Sequence, residues 1–133
     1  MVPKTILLAE DDADDREMFA DFLASRADVA LASLAEDGVD LLHTLNKISH
    51  AGTLPDFVIL DQNMPRQNGL QTLKELKELP AYQHIPVFIY STYADKTLEA
   101  QCIQAGALGV FTKPYSFDGY DVMIDDMLAQ VEG

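Results

Sequence analysis

The amino-acid sequence predicts an α/β fold: a doubly wound, five-stranded parallel sheet with helices on both faces. Short apolar runs rich in Val, Ile and Phe alternate with stretches whose apolar residues recur at three- and four-residue spacing. Gly and Pro fall between successive stretches, where the chain must turn. The chain has 133 residues, of which 48% are hydrophobic. That content predicts one domain with a packed core over residues 1–133.

Five apolar runs are the predicted strands. Runs this short suit strands that are buried on both faces, and they cover residues 5–9, 29–34, 57–60, 87–90 and 109–112. The regular alternation of strand and helix implies parallel strands joined by right-handed crossovers. Five such units fit the flavodoxin-like (βα)5 strand order 2-1-3-4-5.

The predicted helices are amphipathic stretches that follow each strand. Each carries a stripe of apolar residues at helical spacing: Met18, Phe19, Phe22 and Leu23; Val39, Leu42, Leu45 and Ile48; Leu70, Leu73 and Leu76; Leu98, Cys102 and Ala105; Ile124, Met127, Leu128 and Val131. Cys102 is the single cysteine, so an internal disulfide is excluded, and we expect a small buried helix residue there.

The charge of the chain excludes several classes of partner. Acidic residues outnumber basic residues 22 to 9, which gives a formal net charge of −13. A protein that binds nucleic acid directly needs a basic face, and the acidic surplus would also repel anionic membranes. No run approaches the ~18 apolar residues of a membrane span, and the N-terminus becomes acidic too early for a signal peptide. We therefore expect a cytoplasmic protein.

Polar and charged residues follow four of the five predicted strands. Glu10 and Asp11 follow the first strand, Asp61 the third, Ser91 the fourth and Lys113 the fifth. In an open α/β sheet, ligands bind beyond the carboxyl ends of the strands where the strand order reverses, here between the first and third strands. Carboxylates crowded there need a cation, and oxygen ligands on a shallow rim suit Mg²⁺. Lys113 would supply a second positive charge.

Other polar residues have simpler interpretations. We expect acids at the start of the first helix to cap its amides and oppose its dipole, namely Asp12, Asp14 and Asp15. The histidines show no ligand spacing and are predicted to be surface or helix residues: His43, His50 and His84. The tyrosines are interpreted as packing or partner contacts: Tyr82, Tyr90, Tyr93, Tyr115 and Tyr120.

Four motifs occur in order along nearly the whole chain: "LLAEDD", "PDFVILDQNMPRQNG", "PVFIYST" and "GALGVFTKP". Together with their spacing, they resemble the response-regulator receiver domain of two-component (phosphorelay) signalling, in its single-domain type. The resemblance implies that Asp61 accepts a phosphoryl group from phosphohistidine. It also implies that Asp11 binds Mg²⁺ directly and that Glu10 binds it through water. The backbone carbonyl of Asn63 would complete the protein ligands.

The resemblance gives the remaining polar residues their roles. Ser91 resembles the hydroxyl that turns inward to bind the phosphoryl group, and Lys113 resembles the lysine that pairs with a phosphoryl oxygen. The Lys113–Pro114 bond is usually cis in this family. The partners implied are a sensor histidine kinase or phosphotransfer protein, and a downstream protein that binds the face formed by the fourth helix, fifth strand and fifth helix. A homodimer is left open, and no turnover enzyme is expected beyond the domain's own phosphorylation and dephosphorylation.

Three other functions remain as alternatives. A non-phosphorylated pseudo-receiver would act purely as a binding module. A phosphohydrolase of the haloacid dehalogenase type also uses an Asp nucleophile, but its second acid is replaced by Asn63 here. A flavin-binding flavodoxin-like protein would need a hydroxyl-rich phosphate loop in place of "EDDADD". No output domain follows the last helix within residues 1–133, so we expect either a domain that acts alone or one whose output domain has been removed.

Two positions depart from the family's pattern. Val110 stands where many receivers carry the aromatic residue of a rotamer switch, three residues before the lysine, so an aromatic flip is not expected there. Thr92 stands where Ala or Gly often follows the switch hydroxyl, and its bulk would hinder an attacking water.

We therefore predict slow loss of the phosphoryl group once it is attached. Thr92 would crowd the path of the attacking water, and Asn63 and Tyr93 occupy positions that tune phosphoryl lifetime in this family. The decay of the phosphorylated protein in the presence of Mg²⁺ measures this. A half-life of seconds or less would contradict the prediction.

Overall fold

The computed structural model describes residues 2–132, and its strands and helices alternate as predicted. The elements in chain order are β1 (Lys4–Ala9), α1 (Ala13–Ala24), β2 (Val29–Ala35), α2 (Gly38–His50), β3 (Phe57–Asp61), α3 (Gly69–Glu78), β4 (Val87–Ser91), α4 (Lys96–Ala105), β5 (Gly109–Thr112) and α5 (Phe117–Glu132). Within the described residues, no helix is both long and apolar enough to cross a membrane.

The five strands form one parallel sheet in the order β2-β1-β3-β4-β5, which confirms the predicted fold class. The register aligns the ends of the strands: Asp61 lies beside Tyr90, and Ser91 lies beside Thr112. The carboxyl ends of β1, β3, β4 and β5 therefore meet at one edge of the sheet.

Several strands extend further than the apolar runs that predicted them. β3 and β4 each continue by one residue, through Asp61 and Ser91. Both residues are buried, and their backbones stay in the ladder although their side chains are polar. A prediction from hydrophobicity ends each of these two strands before its polar residue, whereas backbone hydrogen bonding in the sheet does not depend on the side chain.

Alternate residues of each central strand face two separate apolar layers. One layer joins β1, β3 and β4 to α2, α3 and α4 and contains Leu7, Val58, Leu41, Leu73 and Cys102, among others. The other joins the opposite face to α1 and α5 and contains Ile6, Ile59, Phe22, Tyr120 and Ile124, among others. Because both faces of the sheet are covered, β3 and β4 are apolar up to their last residues, and the packed core fixes where the polar strand ends lie.

The predicted stripes hold along most of the helices, but the first residue of two stripes is exposed. In α1, Phe19, Phe22 and Leu23 are buried as predicted, whereas Met18 is exposed, so the prediction was wrong there. In α2 the prediction was wrong by two residues, because Val39 is exposed and Leu41 is buried. Both residues are apolar, so the spacing alone could not decide which one faces the sheet.

Side-chain caps fix where four helices begin. Asp12, Asp37, Asn68 and Asp95 each accept a hydrogen bond from the backbone N–H three residues later, at 2.8–2.9 Å. The predicted role of Asp12 as a helix cap is therefore confirmed. Such a cap satisfies an amide that has no partner within the helix.

Gly69, the first residue of α3, lets that helix approach the end of β3. A Cβ at this position would lie 2.8 Å from the carbonyl oxygen of Asp61 and 3.1 Å from the Cα of Gln62. The close approach is also held by two hydrogen bonds, from the N–H of Gly69 to the Gln62 carbonyl and from the N–H of Leu70 to the Gln62 side chain.

We predict that Gly69→Ala lowers the free energy of unfolding by about 1–3 kcal/mol, the usual cost of forcing extra volume into a packed site. The clash is with backbone, so α3 and the end of β3 must separate. Urea unfolding measures the change. Lys96→Ala, at the equivalent first position of α4 and exposed, is the control and should change stability by less than about 0.5 kcal/mol. Equal stabilities for Gly69→Ala and the wild type would refute the prediction.

Candidate functional site

Three carboxylates meet at the carboxyl edge of the sheet. Glu10 and Asp11 follow β1, and Asp61 ends β3. Each offers one oxygen, and these oxygens lie within 4.8 Å of one another. Glu10 and Asp61 are almost completely buried, whereas Asp11 is exposed. Over residues 2–132, no other group of three or more Asp, Glu, His or Cys side chains brings its ligand atoms this close together.

Lys113 enters this group from the end of β5. Its Nζ lies 2.8 Å from Glu10 Oε1, 3.1 Å from Asp61 Oδ2 and 3.1 Å from Asp15 Oδ2. Its backbone N–H donates to the Ser91 carbonyl at 2.8 Å, so β4 fixes where the side chain starts. Burial alone would lower the pKa of Lys113, but Glu10, Asp61 and Asp15 raise it above its usual value. The ammonium therefore stays charged.

The carboxylate of Asp61 is held from two sides. Oδ2 accepts from Lys113, and Oδ1 accepts from the backbone N–H of Asn63 at 3.2 Å. Burial raises the pKa of Asp61 well above its ordinary value, and the neighbouring Glu10 and Asp11 act in the same direction, while Lys113 opposes them. One lysine thus does not balance the acids around it, and the site attracts a further cation.

Glu10 makes more contacts than the sequence predicted. Oε1 accepts from the Tyr90 hydroxyl at 2.5 Å as well as from Lys113, and Oε2 accepts from the backbone N–H of Asp12 at 3.1 Å. Arg16 supports the same turn by donating to the Glu10 carbonyl at 2.8 Å. The carboxylate is therefore fixed in place by β4, the end of β5 and the start of α1.

Two residues make contacts at the site that the sequence does not predict. Tyr90 packs in the core, as expected, but its hydroxyl also contacts Glu10. Asp15 lies in the first turn of α1, as expected, but also contacts Lys113. The sequence does contain a signal for Tyr90, because a hydroxyl inside a strand buried on both faces needs a polar partner. The first turn of α1, where Asp15 lies, begins shortly after the end of β1.

Ser91 is buried at the end of β4, but its hydroxyl does not contact the carboxylates. Ser91 Oγ lies 3.3 Å from both the N–H and the carbonyl of Tyr93, so it faces the loop between β4 and α4.

The backbone carbonyl of Asn63 stays a predicted ligand. The expected cis bond between Lys113 and Pro114 was wrong, since this bond is trans, the isomer that X-Pro bonds favour by about 0.5–1 kcal/mol.

The donor set fits a hard divalent cation. All three side-chain donors are carboxylate oxygens, which Mg²⁺ prefers, and the exposure of Asp11 leaves room for the waters that Mg²⁺ retains. The histidines lie elsewhere and are exposed, as predicted: His43, His50 and His84.

Comparison with known families agrees with this geometry. Residues 6–125 match the family described as the response regulator receiver domain. The chain belongs to this family. The match spans the strands and loops that carry Glu10, Asp11, Asp61, Ser91 and Lys113.

Curated relatives share the receiver domain but are longer proteins. The protein-glutamate methylesterase/protein-glutamine glutaminase of Bacillus licheniformis is 33% identical over 132 residues, which cover 94% of this chain and 34% of the relative. The protein of the same name from Bacillus subtilis is 30% identical over 111 residues, which cover 82% of this chain and 29% of the relative. The receiver domain thus spans about a third of the length of these relatives.

Solved structures share the fold. The phosphorylated cyanobacterial phytochrome response regulator RcpA superposes with a TM-score of 0.81 at 22% identity, over 95% of this chain and 91% of that chain. The Mn²⁺-bound form of response regulator Rcp1 superposes with a TM-score of 0.78 at 24% identity, over 94% and 91% of the two chains.

We predict that Asp61→Asn stabilises the metal-free receiver domain. The raised pKa of Asp61 means that its ionised form is less favourable in the folded than in the unfolded chain. The protonated Asp61 carboxyl therefore contributes its full stability below the pKa of Asp61 in the unfolded chain, near pH 4. That contribution is lost as the pH rises through the raised pKa in the folded chain. Urea unfolding in EDTA should show a gain for Asp61→Asn of about 1–3 kcal/mol at pH 8 that disappears near pH 4.

The control for this prediction is Asp21→Asn, which removes the same charge from an exposed position of α1. It should change stability by less than about 0.5 kcal/mol at either pH. If Asp61→Asn were less stable than the wild type at pH 8, the prediction would be refuted, because Lys113 would then stabilise the ionised Asp61 carboxylate sufficiently without a metal.

Proposed function

We propose that this receiver domain accepts a phosphoryl group on Asp61 from the phosphohistidine of a sensor histidine kinase or phosphotransfer protein. One observation carries the proposal: the buried Asp61 carboxylate contacts Lys113 and lies close to the acid pair Glu10 and Asp11. A carboxylate is a weak nucleophile, so transfer to it depends on positioning and on neutralising charge. Both requirements are supported by groups that contact Asp61 directly.

The proposed transfer is a simple exchange of bonds. A carboxylate oxygen of Asp61 forms a bond to phosphorus as the phosphorus–nitrogen bond of phosphohistidine breaks, and the imidazole nitrogen keeps the electron pair. Lys113, already 3.1 Å from Asp61 Oδ2, would pair with a phosphoryl oxygen. Glu10, Asp11, Asp61 and the carbonyl of Asn63 would hold Mg²⁺, whose positive charge would offset negative charge on the oxygens of the transferred group.

The phosphoryl group would then change the edge of the sheet. It adds nearly two negative charges and several acceptor oxygens beside Lys113. The Ser91 hydroxyl now makes two long bonds to the backbone of Tyr93, at 3.3 Å each, and we propose that it leaves them for a phosphoryl oxygen. That change would pull the β4–α4 loop towards the site and alter the face formed by α4, β5 and α5.

This α4-β5-α5 face is our proposed surface for the downstream partner. A groove of about 440 Å³ lies between β5 and α5 and is lined mainly by apolar groups, including Phe111, Pro114, Tyr115, Val122 and Met123. Tyr115 is 92% exposed and Val122 is 71% exposed, and no Lys or Arg occurs in α5. These features support a protein partner with an apolar anchor flanked by basic residues.

The functional unit, the cellular compartment and the kind of partner are further parts of the proposal. We propose that residues 1–133 act as one receiver unit in the cytoplasm, where a free buried thiol such as that of Cys102 is expected to stay reduced. We further propose that the domain assists only its own phosphorylation and dephosphorylation. The net charge of −13 supports protein partners over nucleic acid.

Intact mass spectrometry after incubation with acetyl phosphate and Mg²⁺ tests the proposal. We expect one added phosphoryl group on the wild type, none on Asp61→Asn, and none on the wild type in EDTA. An adduct that persists in Asp61→Asn would place the acceptor elsewhere. If no adduct formed and beryllofluoride also failed to bind, the protein would instead be a pseudo-receiver that acts as a binding module.

A further inference from the structure

The Tyr90 hydroxyl makes one of the shortest polar contacts at the site. It donates to Glu10 Oε1 at 2.5 Å, and both residues have no exposed surface. The Tyr90 ring packs edge-on against Phe19 at 5.7 Å between centroids, within the apolar layer under α1 and α5. A phenylalanine would provide the same packing. Packing therefore does not explain the hydroxyl, and what the hydroxyl adds to the ring is its hydrogen bond to Glu10.

The contacts of Glu10 leave its carboxylate free to bind one more group. Tyr90 and Lys113 approach Oε1, and the N–H of Asp12 approaches Oε2. An ionised carboxylate has about four acceptor sites, so one remains for a cation or for a water bound to it. The three existing contacts fix the direction in which that remaining site faces.

These contacts would not all persist in the phosphorylated state. Lys113 contacts Glu10 and Asp61 simultaneously, and pairing with a phosphoryl group on Asp61 would draw its ammonium away from Glu10. Tyr90 would then be the remaining side-chain partner of Glu10 among the contacts described above. Tyr90 also packs its ring against Lys113, with Nζ 5.2 Å from the ring centroid, so the same residue borders both groups.

We propose that Tyr90 is a positioning residue of the cation site, whose hydroxyl holds the Glu10 carboxylate in its cation-binding orientation before and after phosphorylation. The inference rests on the proposed function, since it assigns a role towards Mg²⁺. Partners of this kind restrict the rotamers of a ligand and orient its lone pairs, and their loss typically weakens metal binding about 10- to 100-fold. Without the hydroxyl, Glu10 would have to be ordered by the cation itself.

A Mg²⁺ titration followed by backbone amide NMR shifts tests this role with Tyr90→Phe, which removes only the hydroxyl. We expect the dissociation constant for Mg²⁺ to rise about tenfold. Tyr82→Phe is the matched control: Tyr82 is also largely buried, but its hydroxyl lies 3.5 Å from Asn46 on the other side of the sheet. We expect its Mg²⁺ affinity to stay within about twofold of the wild type. Urea unfolding checks that both variants are folded.

The rate of phosphorylation by acetyl phosphate separates positioning from a purely structural role. In Tyr90→Phe the Mg²⁺ concentration for half-maximal rate should rise by the same factor as the dissociation constant, while the rate at saturating Mg²⁺ stays within about twofold of the wild type. A structural defect would instead lower the rate of phosphorylation at saturating Mg²⁺ and leave the affinity for Mg²⁺ unchanged.

A double-mutant cycle links the effect to Glu10. Glu10→Asp shortens the side chain and withdraws its oxygens from Tyr90, so adding Tyr90→Phe in that background should change the affinity for Mg²⁺ less than about twofold. Unchanged Mg²⁺ affinity in Tyr90→Phe, with the wild type binding normally, would overturn the role of Tyr90 alone. A wild type that binds no Mg²⁺ would overturn both this inference and the proposed cation site.

Discussion

The contact between one lysine and several carboxylates is the constraint on which the functional edge of this protein depends. Lys113 lies within 3.1 Å of Glu10, Asp15 and Asp61, and two of these acids are almost completely buried. Buried charges are costly unless they are paired and hydrogen-bonded. The fold tolerates them because Lys113 pairs with all three acids, and loss of Lys113 would leave the buried Glu10 and Asp61 carboxylates without a cationic partner.

The loops around this edge of the sheet are held more firmly on one side than on the other. On the α2 side, Asp37 is buried, caps α2 and accepts two hydrogen bonds from Arg66, at 2.7 and 3.0 Å. Burial alone would raise the pKa of Asp37, but Arg66 and the capped amides more than offset this and lower it. Arg66 adopts a left-handed φ of 63° in the loop after β3, and this ion pair helps to hold that conformation.

On the α4 side, the edge is held by weaker contacts. The Ser91 hydroxyl makes only 3.3 Å contacts with the Tyr93 backbone, and Tyr93 itself is 77% exposed. A loop with few buried contacts opens at lower cost than a packed helix. The weakly held part of the site is therefore the loop between β4 and α4, and the firmly held part lies next to α2.

The sequence by itself determined the α/β class, the strand order and the strand ends that carry Glu10, Asp11, Asp61, Ser91 and Lys113. Those features follow from hydrophobic periodicity and from polar residues at fixed places in it, both of which are local properties. Only the tertiary structure decided which neighbours complete the site. Tyr90 and Asp15 meet Glu10 and Lys113 across 80 and 98 residues of chain, the Ser91 hydroxyl faces Tyr93, and Leu41 rather than Val39 enters the core. Each of these depends on rotamers and on packing between elements that are distant in sequence. Local pattern indicates that the buried Tyr90 hydroxyl needs a polar partner, but it does not identify that partner.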